Sequence, residues 1–417
     1  MKRRGMIISH WLPVLLLWLL GSQAKIYAQT QTQTQASEGA EYLLVPVPDV
    51  WYNQVDGFRL GIRIKGQQPL SFNDGPHRLS MGVWVATKWP DLPVSYHIAF
   101  TEPISSWSSF ASEASVTALS SVREGYAIHG LIGRKRWQQG FNESQFTLLE
   151  TKLTADNRFD LDYPLYPKAW QRGWQYTAAS TLESHRTWQG VGRFTHHVSF
   201  LVGFSEDHPD KAYTQLELSQ EGYHGCSSTF GLAHRLFLGL GTESLPLQHR
   251  YHPASGKAMK EVESGFTRSA GLLPSSAIEH GYVHLAGGPN LRAYTQRNDA
   301  DSSGFFSLRH RMLAANLELK FPNPLSKLIQ QIPLMGSVLQ SRMYLFSDVG
   351  KPLEANTKMM SNAGLGFALG LTIPDMTGQT NAITFRIDVP AWISHPAAAE
   401  SKWKFRPVFG LNSVIAW

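Results

Sequence analysis

Apolar and polar residues alternate with a period of two along most of this chain, the spacing of strands whose successive side chains point to opposite faces. Phe58, Leu60, Ile62 and Ile64 alternate with Gly57, Arg59, Gly61, Arg63 and Lys65, and Leu79, Met81, Val83 and Val85 repeat the pattern. After a short Pro90-Asp91 turn it resumes at Val94, Tyr96, Ile98 and Phe100, which predicts adjacent antiparallel strands. The rhythm returns in Phe194, Val198, Phe200, Val202 and Phe204, then in Phe230, Leu232, Leu236, Leu238 and Leu240. It is cleanest in the last third. There Leu313, Ala315, Leu317, Leu319 and Phe321 oppose Asn316, Glu318 and Lys320, and Leu365, Phe367, Leu369, Leu371 and Ile373 oppose Gly364, Gly366, Ala368, Gly370 and Thr372. Ile383, Phe385, Ile387 and Val389 oppose Thr384, Arg386 and Asp388, so charges keep to one face.

Two architectures share this alternation. In a soluble sandwich the apolar face is the core, whereas in a large membrane barrel it meets lipid and the polar face lines the lumen. The end of the chain favours the barrel: Phe405, Phe409, Leu411, Ile415 and Trp417 share one strand face and the sequence stops on an aromatic, which suits an interfacial girdle. Roughly sixteen strand candidates occur with no helical layer to cover them, and Arg59, Arg63 and Arg386 avoid the apolar face, where an arginine costs about 2–4 kcal/mol at mid-membrane. The expectation is an all-β transmembrane antiparallel barrel of about 16 strands spanning 50–417, with a long inward-folding loop.

The N-terminus agrees with export. Lys2, Arg3 and Arg4 precede an apolar run from Trp11 to Leu20, with Ser22 and Ala24, and again Ala28, at cleavage-site spacing; residues 1–28 read as a cleaved signal and 29–49, with their Gln-Thr repeat, as a disordered lead. Removing the signal lowers the formal charge from +6 to +2, too little to imply a nucleic-acid partner. The single cysteine, Cys226, excludes an internal disulfide framework, and no later apolar run approaches the roughly 20 residues of a spanning helix. An even strand count puts both termini on the periplasmic side, makes 66–77, 269–300 and 350–362 outer loops, and leaves Pro322 to Pro333 on the periplasmic side. Within that stretch Leu325, Leu328, Ile329 and Ile332 have helical spacing, compatible with an amphipathic interfacial helix or with an irregular turn bracketed by prolines.

Gly287-Gly288-Pro289-Asn290-Leu291-Arg292-Ala293-Tyr294 resembles the arginine-containing loop motif of the bacterial surface antigen superfamily, the BamA/TamA and two-partner-secretion barrels. Tyr344 to Gly350 resembles that family's next strand, Thr384 to Asp388 its penultimate one, and Trp51 to Arg59 the first strand of related barrels. Two departures stand out. Ala293 replaces a usual glycine, which is penalised if the loop needs positive φ there, and residues 25–50 leave no room for the periplasmic POTRA domains that receive clients. The resemblance implies an outer-membrane protein that inserts, translocates or exposes protein or lipid. Its partners would be membrane lipids, a separate periplasmic or surface protein, and the assembly machinery that recognises the C-terminal strand. The alternative is a structural barrel anchoring a partner such as a peptidase without transport.

In a wide lumen a guanidinium at the loop tip needs a carboxylate, and Asp348, on the polar side of its strand, is the expected partner of Arg292; an exposed loop arginine is the other possibility. Gly287, Gly288, Leu291 and Tyr294 complete the motif, and Arg386 with Asp388 forms a candidate second lumen pair. The resemblance also implies a weak seam between first and last strands, assigned to Gly57 and Gly61 on one side and Pro407 and Trp417 on the other, since proline donates no ladder bond. No His-Glu-x-x-His or Gly-x-Ser-x-Gly segment occurs, and His196-His197 point to opposite strand faces. No enzyme, metal or cofactor is expected.

Overall fold

The computed structural model describes residues 43–67, 78–88, 94–164, 167–225, 227, 230–263, 265–268, 283–294, 308–332, 338–374, 380–396 and 400–415. The signal and most of the expected lead lie outside these residues. The chain divides into two compact units, residues 1–41 with 373–381, and residues 42–372 with 382–417; the second holds the sheet described below except for the ends of its fifteenth and sixteenth strands.

Among the described residues one sheet contains every strand. In chain order these are β1 (Leu43–Asn53), β2 (Gly57–Gln67), β3 (Arg78–Ala86), β4 (Val94–Pro103), β5 (Ser112–Arg123), β6 (Tyr126–Gln139), β7 (Asn142–Arg158), β8 (Gln175–Trp188), β9 (Gly192–Ser205), β10 (His208–Gly225), β11 (Gly231–Gly241), β12 (Val283–Leu285), β13 (Arg311–Phe321), β14 (Leu339–Pro352), β15 (Met360–Pro374), β16 (Thr380–Ile393) and β17 (Val408–Leu411). Each of β1 to β10 pairs antiparallel with the next, β11 pairs antiparallel with β13, and the meander continues to β17. Setting aside β12, a three-residue piece of the β11–β13 connection, sixteen strands form the wall of a transmembrane barrel.

The two faces of the wall differ as the alternation requires. Phe58, Leu60, Ile62, Val83, Ile98, Phe200, Leu236, Leu317, Leu345 and Ile387 are exposed on the outside, whereas Arg59, Arg235, Glu318, Asp348, Arg386 and Asp388 are buried on the inside. Such an outer surface is stable only against an apolar medium, which is how a barrel wall meets a bilayer. The lumen side gains its burial from the β11–β13 connection: Leu245, Tyr251, Ala254, His284, Leu291 and Tyr294 are all buried within it.

Three expectations need correction. Residues 43–49, assigned to the lead, are strand; Pro46 and Pro48 interrupt the alternation that would have marked them, and a first strand tolerates prolines on its outer edge. Because this strand precedes β2, the β2–β3 connection falls at the end of the barrel where β1 begins, the same end as the β13–β14 connection, and not with the β11–β13 and β14–β15 connections. The last strand is short. Phe405 and Phe409 are exposed, at 76% and 52%, but Leu411 and Ile415 are buried, at 6% and 0%, so the shared apolar face ends at Phe409. Asn412 adopts φ 64°, which turns the chain out of the strand, and Val414 and Ile415 pack on Ala233 of β11 and Tyr223 of β10. Trp417 lies outside the described residues.

The ambiguous Pro322 to Pro333 stretch contains a helix, α1 (Pro324–Gln330), whose N-cap Asn323 accepts from the Leu325 amide at 3.1 Å. Leu325, Leu328 and Ile332 are exposed, as on an interfacial helix.

Candidate functional site

On β13, β14 and β16 the polar positions of the alternation face one region of the lumen. Strand register sets Asn316 opposite Asp348, and Asp348 in turn opposite Asn362 of β15. Glu318, Tyr344, Phe346, Arg386 and Asp388 are buried beside them, so the wall presents three carboxylates before the loop arrives.

The loop is shaped to reach them. After β12 the chain turns at Gly287, φ 90°, and Asn290, φ 51°, conformations that glycine and asparagine adopt at least cost. The Asn290 side chain ties the turn by accepting from the Gly288 amide at 3.0 Å and donating to the Leu285 carbonyl at 2.8 Å. Gly288 is needed for close approach: a Cβ there would lie 2.3 Å from the Ser255 carbonyl oxygen. Ala293 is buried and is not among the described residues with positive φ, so the alanine carries no such strain.

Arg292 then enters the carboxylate cluster. Its Nη2 donates to Asp348 Oδ1 at 2.9 Å, its Nε to Oδ2 at 3.1 Å and its backbone amide to the same Oδ2 at 3.1 Å, a fork that fixes both side chain and main chain. Nη1 donates to Glu318 Oε1 at 2.8 Å and lies 3.5 Å from Asp388. The guanidinium carbon sits 4.0 Å from the Phe346 ring centroid, so an aromatic face covers the remaining side. Arg292 and Asp348 are both fully buried. The structure thus brings Arg292 and Asp348 together, and places Arg386 on Asp388 as a paired neighbour.

Surrounding groups satisfy what is left. Asn316 donates to Asp348 Oδ1 at 3.0 Å and to the Asn290 carbonyl at 3.1 Å, bridging wall and loop. Tyr344 donates to Asp388 at 2.7 Å. Leu291 packs over Gly350, and Tyr294 reaches Ser394 at 2.9 Å, so the motif's apolar and aromatic residues seat the same turn on β14 and beyond β16. Glu318, Asn316 and Phe346 were missed in the sequence because each is one of many lumen-parity residues; only the register with Asp348 singles them out. Arginines for carboxylates, an aromatic lid and amide bridges can hold a loop in place; no nucleophile paired with a base is present in the cluster.

The residues assigned to the seam are not together. Gly57 and Gly61 lie on β2, flanked by β1 and β3, and Gly61 leaves room for the Trp84 indole, which a Cβ would meet at 2.2 Å. Pro407 immediately precedes β17, where it limits the ladder on the last strand.

No protein-family model matches the chain, and no curated protein sequence does. Among solved structures it is similar to BamA from Haemophilus ducreyi lacking POTRA domains 1–3, at 13% identity over 91% of this chain and 72% of that one, with a TM-score of 0.44. It is also similar to CdiB from Escherichia coli, at 12% identity over 90% of this chain and 63% of that one, TM-score 0.40. CdiB from Acinetobacter baumannii matches at 12% identity over 90% of this chain and 60% of that one, TM-score 0.38. The chain spans less than two thirds of the length of either CdiB.

Proposed function

We propose that this chain is an outer-membrane barrel that inserts, translocates or exposes protein or lipid at the cell surface, working with a separate periplasmic or surface partner. The observation that carries this reading is the lumen loop itself, seated on the wall through Arg292, Asp348 and Glu318. Desolvating an arginine and three carboxylates is costly, and the pairing compensates only in one geometry, so such a cluster specifies a position rather than simply adding stability. A loop held at one position inside a barrel suits a passage that is opened and closed. The motif's resemblance to the surface antigen superfamily supports protein or lipid as the class of cargo, and no enzymatic step enters the reading.

Affinity purification of the full chain from membranes, followed by identification of bound proteins and lipids, tests it. Recovery of a periplasmic receptor-like protein or of polypeptide or lipid cargo, with altered recovery from an Arg292→Ala chain, is the expected result. Recovery of a surface enzyme alone, unchanged by Arg292→Ala, would replace transport with anchoring.

A further inference from the structure

We propose that Val283–Leu285 is a strand clip: the lumen loop covers the edge of the last strand that would otherwise face β1, and moving the loop is what uncovers it. The inference concerns how the ends of the sheet meet and does not depend on the cargo proposed above.

A strand has two edges, and both edges of β17 are taken. On one side Phe385, Ile387 and Asp388 of β16 face Leu411, Phe409 and Val408 in antiparallel register. On the other, Val283, His284 and Leu285 face Phe409, Gly410 and Leu411 in parallel register, and the Ala286 amide donates to the Leu411 carbonyl at 3.1 Å. Residues 409–411 therefore cannot pair with β1 while β12 is in place.

The composition of β1 fits this arrangement. Phe58 of β2 exchanges hydrogen bonds with Thr87 beyond β3, so even-numbered residues of β2 turn their amides toward β3 and odd-numbered ones toward β1. Since Arg63, Gly61 and Arg59 stand opposite Val47, Asp49 and Trp51, the even-numbered residues of β1 turn their backbone groups away from β2. Pro46 and Pro48 are among these, and neither has an N–H to give. The edge that β1 offers to the last strand thus lacks two successive donors, and a continuous β1–β17 ladder is broken there.

The clip is held chiefly by its own loop. The Leu285 amide donates to Ser255 Oγ at 2.8 Å, and its carbonyl accepts from Gly256 at 2.8 Å and from Asn290 at 2.8 Å. Beside it, Leu285, Asn412 and Val414 line a cavity of about 420 Å³, so the clip is not packed solid on that flank. Asn290 is two residues before Arg292, which links the clip to the carboxylate cluster. The edge of β17 is then governed by the seating of the loop, not by unzipping from β1.

Cysteine cross-linking of the full chain in membranes, in a Cys226→Ser background, tests the proposal. Leu285→Cys with Leu411→Cys, facing residues in one packed cluster, should form a disulfide on mild oxidation, while Pro48→Cys with Phe409→Cys should not. Hydrogen exchange supplies a readout that needs no cross-link. Replacing His284 by proline should raise exchange at 408–411 at least tenfold and leave β6 to β9 unchanged, and Arg292→Ala should raise exchange at the same four residues. A dominant Pro48–Phe409 cross-link, or unchanged exchange at 408–411 in both variants, would overturn the clip.

Discussion

The lumen loop is attached to the barrel in two unlike ways. Around Arg292 the attachment is made by side chains: a buried guanidinium forked onto Asp348, shared with Glu318 and covered by Phe346. At β12 it is made by main chain, with three residues paired to β17. Charge-assisted hydrogen bonds in a dry site are strong and tolerate no displacement, whereas a three-residue parallel ladder adds little and re-forms easily. The difference teaches that one end of the loop positions it and the other can let go.

Breaking the strong attachment should produce the largest effect. Arg292→Ala leaves Glu318 and Asp348 without their cation, while Asp388 keeps Arg386, and removing one side of a buried pair costs about 3–5 kcal/mol. Urea titration of folded barrel, followed by heat-modifiable gel mobility, should show the midpoint fall accordingly. A cost below about 1 kcal/mol would erase the contrast between the two attachments.

Gly288→Ala interferes with the approach instead of the charge. Its Cβ would press on the Ser255 carbonyl and on Gly256 Cα, which are backbone and cannot swing aside, so about 1–3 kcal/mol of docking should be lost. Proteolysis of the loop in intact membranes should accelerate in this variant.

Acid should loosen the loop without any mutation. Burial lowers His249 to about 3, with Lys257 nearby reinforcing the shift, and burial alone lowers His252 to about 3. Both are neutral in the docked loop and titrate near 6.5 once released. Docking is therefore strongest above pH 6.5 and weakens as pH falls from 6.5 toward 3, by up to about 1.4 kcal/mol per pH unit for each histidine. Loop proteolysis measured between pH 7.5 and pH 5 should rise, and His249→Gln with His252→Gln should flatten that rise.

The smallest effect belongs to Lys260 and Glu263, whose ion pair is partly solvated and lines the cavity beside Leu285 and Val414. Glu263→Gln should change barrel stability by no more than about 0.5 kcal/mol. A larger loss would mean that partly solvated charges hold the loop as firmly as Arg292 does.

The sequence disclosed the wall more fully than its ends. Clean alternation in Leu313 to Phe321 and in Ile383 to Val389 sorted residues onto the two faces because each side chain's direction is set by parity alone. Arg292 and Asp348 were legible as a pair because both lie in segments that resemble the surface antigen superfamily, Asp348 has the lumen parity, and a buried guanidinium needs a carboxylate. Glu318 and Asn316 were not, since their part depends on which residues of β13 stand opposite Asp348. At the first strand Pro46 and Pro48 interrupt the pattern that would have marked it. Nor does periodicity say where a strand stops. Leu411 and Ile415 have the parity of lipid-facing residues, but the turn at Asn412 carries the chain inward.

All of this rests on hydrocarbon being the medium around the outer face. The direct measurement is thiol labelling of the full chain in membranes, with single cysteines in a Cys226→Ser background at Leu236, Leu317 and Leu345, and with Phe141, in the β6–β7 turn, as the solvent control. The three wall positions should resist a water-soluble maleimide and react with a lipid-soluble one, while Phe141→Cys reacts with the water-soluble reagent. Reaction of all four with the water-soluble reagent at one rate would contradict the barrel in its bilayer.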